Sequence, residues 1–221
     1  MSGFATVRQR MVDGQVRTND VTDTRILDAM LEIPRELFVP ETKRALAYLD
    51  LDLDVGEGGA PQRYMIKPQV VAKLLQAAEV AARDKVLVVG CATGYVAALA
   101  ARLAAKVTAT ESDPALVAKG KATLGQLGFS NVAVKPAAPA DGDTADAAYD
   151  VILLNGATEV APEQLFAQLA EGGRLVGIFA TKKPARAMIV TRAHGDLGYR
   201  ALFDAAAPVL PGLERAPSFV F

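Results

Sequence analysis

The sequence of 221 residues contains one cysteine, one histidine and no tryptophan. A lone cysteine excludes a disulfide framework and favours a reducing compartment. Cys91 and His194 together supply too few ligands for a structural zinc site, so no metal is expected. One imidazole also argues against Ser-His-Asp and Cys-His catalysis. The sequence therefore favours chemistry that relies on a cofactor or on carboxylates.

The sequence also lacks an excess of charge and a long apolar run. Its 24 basic and 25 acidic residues leave a net charge of −1, which provides no electrostatic footprint for nucleic acid. The longest apolar stretches, such as 97–105, fall short of the about 18 residues that a membrane helix needs. No apolar signal segment is visible near the N-terminus. We therefore expect a cytoplasmic protein with neither a membrane nor a nucleic-acid partner.

Residues 1–80 are predicted to form helices joined by irregular segments. Thr22 or Asp23 is expected to cap a helix that ends at Ile33, and Pro68 is expected to begin another. Between these helices, residues 49–64 are acidic and rich in glycine, which predicts a long functional loop. We interpret this part of the chain as a substrate-side region.

From residue 81 onwards, short apolar runs alternate with helical segments. Such alternation indicates a doubly wound, mostly parallel α/β sheet. Residues 1–80 and 81–221 are expected to pack as one unit, with the sheet in the second part. The predicted strands are residues 86–89, 106–110, 131–135, 149–154 and 174–180, followed by an antiparallel pair at 188–191 and 199–204.

The loop after the first predicted strand reads Gly90-Cys91-Ala92-Thr93-Gly94-Tyr95. A dinucleotide loop has glycine at its first, third and sixth positions, whereas this loop has glycine at the first and fifth. That spacing fits the loop of S-adenosylmethionine enzymes better and disfavours a nicotinamide-dependent reductase. Glu111 ends the next strand, where an acid is placed to accept both ribose hydroxyls. Alternatively, the small residues serve helix–sheet packing and Glu111 starts a helix.

The chain resembles the protein-L-isoaspartate O-methyltransferase family along nearly its whole length. The most specific likeness is the run Ile33-Pro34-Arg35-Glu36-Leu37-Phe38-Val39-Pro40, supported by the stretches 47–50, 86–95 and 172–176. The resemblance implies a Rossmann-like methyltransferase fold, S-adenosyl-L-methionine as cofactor, and methylation of a carboxylate in a protein or peptide with an isoaspartyl residue. It implies that the cofactor is held by Gly90, Cys91, Ala92, Thr93, Gly94, Tyr95, Glu111, Ser112, Ala138 and Asn155.

Four features depart from the pattern of that family. Val88 and Ala138 stand where the family has acids, and Ala92 replaces the middle glycine of the loop. In place of a Thr-Ile-Ser run just before the proline at Pro68, the sequence reads Tyr64-Met65-Ile66. Three alternatives stay open: an isoaspartyl methyltransferase, a methyltransferase for a different acceptor such as an apolar small molecule, and a catalytically silent binding module.

The substrate mouth is predicted around Arg63, Tyr64, Ile66 and Lys67. Arg63 and Lys67 flank the replaced segment and are candidates to hold a substrate carboxylate. The alternative is that both are solvated charges, one on a loop and one at a helix start. A carboxylate acceptor is ionised at neutral pH, so no catalytic base is predicted. Cys91 is expected to contribute its backbone, not its thiol.

Overall fold

The structure, a computed structural model, describes residues 3–56 and 62–216. Its first part is helical, as predicted. The sequence does not show the first helix by a periodic pattern of apolar residues, because Met11 is the one residue of that helix that is buried. Within the described residues, no helix has the length and apolarity to cross a membrane. The helices of this part are α1 (Gly3–Met11), a π-helical turn (Val12–Val16), 3₁₀ turns (Arg17–Asn19, Arg35–Phe38, Glu41–Leu46), α2 (Thr24–Glu32) and α3 (Pro68–Ala78).

Helices α2 and α3 begin where the capping residues predict. The Asp23 side chain accepts a hydrogen bond from the backbone N–H of Arg25 at 2.9 Å, which satisfies a free donor of the first turn of α2. Pro68 occupies the first turn of α3, where its missing N–H is not needed. Both helices bury one apolar face, and α2 ends at Glu32, one residue before the predicted Ile33.

The predicted loop 49–64 contains a short hairpin. Strand β1 (Leu53–Asp54) pairs antiparallel with β2 (Tyr64–Met65), and the N–H of Val55 donates to the carbonyl oxygen of Arg63 at 2.8 Å. The predicted loop is therefore partly regular, with strand pairing at residues 53–54 and 64–65, while residues 57–61 lie outside the described residues. The hairpin matters because it directs Arg63 towards the sheet.

The sheet is doubly wound and mostly parallel, as predicted. Its order is β5-β4-β3-β6-β7-β8-β9. Neighbouring strands from β5 to β7 pair in parallel, whereas β8 pairs antiparallel with β7 and β9 pairs antiparallel with β8. The strands are β3 (Lys85–Val89), β4 (Lys106–Glu111), β5 (Val132–Pro136), β6 (Tyr149–Thr158), β7 (Leu169–Phe179), β8 (Arg186–Ala193) and β9 (Asp196–Asp204). Helices α4 (Tyr95–Leu103), α5 (Pro114–Gln126) and α6 (Glu163–Ala167) connect the parallel strands.

One apolar cluster contains side chains from both parts of the chain. Met30 and Phe38 belong to it together with Val88 and Leu99. Burial of this shared apolar surface is the main favourable term that joins the helical region to the sheet. The boundary at residues 80 and 81 stays a prediction.

Arg35 lies buried at the junction of the two parts. Only 1% of it is exposed. Its Nε donates to the carbonyl oxygen of Ala47 at 2.7 Å and its Nη2 to that of Ile66 at 2.8 Å. Its guanidinium carbon lies 4.7 Å from the ring centroid of Tyr95, a cation–π contact. Arg35 therefore connects three segments that are distant in sequence.

We expect Arg35→Met to lower the free energy of unfolding by roughly 3 kcal/mol, because two buried carbonyl groups lose a charged donor. Urea unfolding of the purified protein measures the change. The control is Arg186→Met, which removes an exposed ion pair with Asp204 on β9 and is expected to cost less than about 1 kcal/mol. Equal losses in the two variants would contradict a structural role for Arg35.

Candidate cofactor site

Three strands of the sheet end at one edge and bring together residues that the sequence predicts in the site. Gly90 follows β3, Glu111 ends β4, and Asn155 lies in β6. The strand order reverses between β3 and β6, which is where doubly wound sheets bind ligands. The side-chain amide of Asn155 donates to the carbonyl oxygen of Gly90 at 2.8 Å, so the two neighbouring strand ends are tied together.

The loop from Gly90 to Tyr95 turns sharply from β3 into α4. Gly90 has φ +67° and Gly94 has φ +97°, values that favour glycine. Ala92 also has a positive φ, +51°, so it keeps a left-handed backbone at the position where the resembling family has glycine. The N–H of Gly94 donates to the carbonyl oxygen of Cys91 at 2.8 Å and closes the turn.

The side chains of this loop face the protein interior. The hydroxyl of Thr93 donates to the carbonyl oxygen of Phe38 at 2.5 Å. The ring of Tyr95 packs edge-on against that of Phe38, with centroids 5.5 Å apart. Cys91 is buried as well, and burial together with the charge of Glu111 raises the pKa of its thiol. The side chains of Cys91, Thr93 and Tyr95 are therefore engaged in the interior, and the role of the Cys91 backbone in binding stays a prediction.

Glu111 is completely buried and paired with Arg63. The Nε of Arg63 donates to Oε1 at 3.0 Å, and its Nη2 donates to Oε2 at 2.9 Å. The same Nη2 lies 2.9 Å from the carbonyl oxygen of Gly90. The exposed fractions are 4% for the Arg63 side chain and 0% for that of Glu111. This pair is bidentate and buried, the geometry in which charge-assisted hydrogen bonds are strong.

Backbone groups complete the surroundings of Glu111. Its carboxylate accepts the N–H of Ala92 at 2.8 Å, of Ser112 at 2.8 Å and of Asp113 at 3.2 Å. Burial by itself raises the pKa of this carboxyl, but the hydrogen bonds and charge of Arg63, together with these N–H groups, outweigh burial. The pKa of Glu111 therefore lies below its ordinary value, and the group is ionised at neutral pH.

The position of Arg63 differs from the prediction of a substrate-mouth residue. The β1–β2 hairpin directs its side chain inwards, and the buried carboxylate supplies the counter-charge. Ile66 is also buried, and its carbonyl oxygen accepts from Arg35. Tyr64 is half-buried and donates to the side chain of Gln62, while Lys67 stands at the N-cap position of α3 and makes no capping hydrogen bond with its side chain. The four predicted mouth residues therefore do not converge on one described cavity.

A cavity of about 410 Å³ opens next to the Arg63–Glu111 pair. Ser112 and Ala138, two residues predicted to bind the cofactor, line it. Its volume lies in the range of small-molecule sites. It is lined by Arg63, Ser112, Asp113, Pro114, Ala138, Pro139, Pro211 and Gly212. By volume this cavity has room for an aromatic ring system such as adenine. The carboxylate beside it does not fit the ribose in this arrangement, because Arg63 occupies it.

Leu210 is a residue of the site that sequence reasoning missed. A Cβ atom added to Gly90 would lie 2.5 Å from Leu210 Cδ2 and 2.7 Å from Arg63 Nη2. A Cβ atom on Gly156 would lie 2.8 Å from the same Leu210 methyl group. Leu210 is held there because its N–H donates to the carbonyl oxygen of Ala157 at 2.9 Å. Leu210 and Arg63 therefore fill the space next to the loop glycine.

No metal site accompanies this arrangement in the part of the chain that the structure describes. Residues 3–56 and 62–216 contain no group of three His, Cys, Asp or Glu side chains placed to hold an ion. The polar groups at the strand ends are one carboxylate, one guanidinium, one amide and backbone N–H groups. Such a set suits hydrogen bonding to an organic ligand.

We expect Glu111→Gln to lower the free energy of unfolding by about 3 kcal/mol at pH 7, because Arg63 loses its buried counter-charge. A carboxyl with a lowered folded-state pKa stabilises the protein above its ordinary pKa of 4.5 and loses that effect as the pH falls through the folded-state value. The difference between wild type and variant should therefore be constant near neutrality and shrink in acid. Urea unfolding across that pH range measures it, and a difference that grows on acidification would contradict the pairing.

Comparisons with known proteins support the same family as the sequence motifs. The family model described as "Protein-L-isoaspartate(D-aspartate) O-methyltransferase (PCMT)" matches residues 6–201. A protein-L-isoaspartate O-methyltransferase of Koribacter versatilis (strain Ellin345) is 42% identical over 204 residues, which are 92% of this chain and 90% of that protein. The protein of the same name from Roseiflexus sp. (strain RS-1) is 37% identical, covering 87% of this chain and 86% of the other.

Solved structures agree with the fold. A structure named protein-L-isoaspartate O-methyltransferase superposes with a TM-score of 0.83 at 25% identity and covers 94% of this chain and 67% of that chain. A putative enzyme of that name from Plasmodium falciparum, in complex with S-adenosyl-L-homocysteine, gives a TM-score of 0.77 at 17% identity, with coverages of 95% and 99%. The second likeness bears on the fold alone. The chain therefore belongs to the protein-L-isoaspartate(D-aspartate) O-methyltransferase family, a family of S-adenosyl-L-methionine-dependent enzymes.

Proposed function

We propose that this protein transfers a methyl group from S-adenosyl-L-methionine to the carboxylate of an isoaspartyl residue in a damaged protein or peptide. The observation that carries the proposal is the meeting of Gly90, Glu111 and Asn155 at the edge where the strand order reverses, in a chain of this family. The cavity beside them, lined by Ser112 and Ala138, has room for the adenine end. These residues supply binding and orientation.

The chemistry asks little of the protein beyond position. When bound, the cofactor supplies an electrophilic methyl group on a sulfonium centre. An acceptor carboxylate has an ordinary pKa of about 3.9, so it is already a nucleophile at neutral pH. The protein needs to hold the two reactants in line, which by itself lowers the barrier substantially. A site without an imidazole base or a reactive thiol is sufficient for this reaction.

Each predicted binding residue receives a role in the proposal. The carboxylate of Glu111 accepts the ribose hydroxyls, and Ser112 and Ala138 line the adenine end. Asn155 and the backbone of the loop orient the remaining part of the cofactor. The role of Glu111 requires that Arg63 leave it, because the two side chains share three contacts of 3.0, 3.2 and 2.9 Å.

A protein or peptide acceptor is favoured over an apolar small molecule. The small-molecule alternative rests on an apolar mouth formed by residues 64–66. Met65 and Ile66 are 2% and 1% exposed, so their side chains belong to the core. The cavity that Ile66 lines measures only about 10 Å³, less than a ligand needs. The alternative of a catalytically silent binding module has one observation in its favour. Arg63 pairs with Glu111, the carboxylate that the cofactor would need.

We also propose that the protein works in a reducing compartment such as the cytoplasm. Its one cysteine, Cys91, is buried in the loop after β3 and has no disulfide partner. Burial raises the pKa of this thiol, so it stays protonated and unreactive at neutral pH. A protein with this thiol chemistry needs no oxidising environment to fold.

The proposed activity predicts labelled methyl transfer to an isoaspartyl peptide and none to the same peptide with an ordinary aspartate. Because the mouth lacks the hydroxyl side chains of the family pattern, we expect a rate about 10- to 100-fold below that of a relative that keeps them. Scintillation counting of the base-labile methyl ester measures the transfer. A panel of phenols and quinols serves as the control acceptor: transfer to the panel alone would assign a different substrate, and transfer to neither would favour the silent module.

A further inference from the structure

Arg63 takes up the acceptor capacity that Glu111 would offer to a ribose. A carboxylate has about four lone-pair positions. Oε1 accepts from Arg63 Nε at 3.0 Å, from the N–H of Ser112 at 2.8 Å and from that of Asp113 at 3.2 Å. Oε2 accepts from Arg63 Nη2 at 2.9 Å and from the N–H of Ala92 at 2.8 Å. Arg63 Nε also lies 3.2 Å from Oε2 and the Ser112 hydroxyl 3.2 Å from Oε1, so both oxygens are already crowded with donors. The two hydroxyls of a ribose would have to replace donors that are present, and Arg63 is the side chain that makes the most of these contacts.

The guanidinium also occupies the space beside the loop glycine. Its Nη2 donates to the carbonyl oxygen of Gly90 at 2.9 Å, and it would lie 2.7 Å from a Cβ atom on that residue. A glycine at this position normally lets a ligand approach the backbone. Here a side chain of the protein itself makes that approach. The hydrogen bonds and the filled space therefore both put the Arg63 guanidinium where the cofactor is expected.

Replacing the Arg63 guanidinium by a ribose as the partner of Glu111 costs electrostatic free energy. Arg63 and Glu111 form a charged, bidentate pair that is almost completely buried, with exposed fractions of 4% and 0%. Charge-assisted hydrogen bonds are roughly twice as strong as neutral ones. A ribose diol offers the carboxylate two neutral donors. The cofactor therefore needs binding energy from its other parts to displace the guanidinium.

We propose that Arg63 is the residue that sets the affinity of this protein for its cofactor. Paired with Glu111 it excludes the ribose, and the cofactor binds the molecules in which Arg63 has left the carboxylate. This inference rests on the proposed role of Glu111. When only a fraction of the molecules is competent to bind, the apparent dissociation constant rises by the inverse of that fraction. A residue that acts in this way limits binding without contacting the methyl acceptor.

Calorimetric titration of the full chain with S-adenosyl-L-homocysteine tests the proposal. Arg63→Gln and Arg63→Met remove the charge and retain much of the side-chain volume, and we expect both to bind at least about tenfold more tightly than wild type. The matched control, Arg186→Gln, breaks an exposed arginine–aspartate pair on β8 and β9 and should bind like wild type. Far-UV circular dichroism and urea unfolding establish that each variant is folded.

Binding that is unchanged or weaker in the Arg63 variants would overturn the proposal. So would the absence of binding in all proteins at millimolar ligand, because another feature would then close the site. If removal of the buried cation prevents folding, the wild type provides a second test. The ¹⁵Nε–H resonance of Arg63 should shift or broaden when S-adenosyl-L-homocysteine saturates the protein, and an unchanged resonance in the saturated protein would overturn the proposal.

The result is separable from that of the proposed methyl transfer. S-adenosyl-L-homocysteine binds without a methyl acceptor, so the titration does not depend on the identity of the substrate. Tighter binding by the Arg63 variants, combined with no methylation of the isoaspartyl peptide, would support the role of Arg63 and reject the substrate. Methylation with no effect of Arg63 on binding would support the substrate and reject the role of Arg63.

Discussion

One buried carboxylate organises the ligand-binding edge of this protein. Glu111 is 0% exposed, and a charge in that position is costly unless each oxygen is paired. Its partners come from three different segments: the β1–β2 hairpin through Arg63, the loop after β3 through Ala92, and the start of α5 through Ser112. The need to compensate this charge therefore determines how hairpin, loop and helix meet.

The N-terminal region also packs against the loop that follows β3 and holds its side chains in place. Phe38 accepts a hydrogen bond from Thr93 and packs against Tyr95, and Arg35 lies over the same tyrosine ring. Glu36 accepts from Tyr48 and from Arg8 at 3.4 Å. The Ile-Pro-Arg-Glu-Leu-Phe run thus stabilises the conformation of the loop from Gly90 to Tyr95. This explains how a chain keeps that run while other residues of the family pattern change.

Features that depend on local pattern could be predicted from the sequence, and features that depend on distant contacts could not. The caps at Asp23 and Pro68, the strand alternation and the glycine loop follow from neighbouring residues, and the structure has them close to the expected positions. Arg63 lies 48 positions before Glu111, and no periodicity relates the two. Leu210 enters the site from the C-terminal segment, so its role also depends on the tertiary fold.

One departure from the family pattern, Val88, bears on the balance of charge at the site. Val88 is buried in β3 between Ala109 of β4 and Leu153 of β6, so an acid at this position would add a second buried negative charge to the centre of the sheet. Ala138 is exposed and lines the cavity without a charge. Glu111 is buried, and the single positive charge of Arg63 compensates it. A guanidinium of one charge compensates one carboxylate, so a second buried acid at position 88 would need a counter-charge of its own. The absence of an acid from the centre of the sheet therefore accords with one buried ion pair, in which the protein supplies the counter-charge itself.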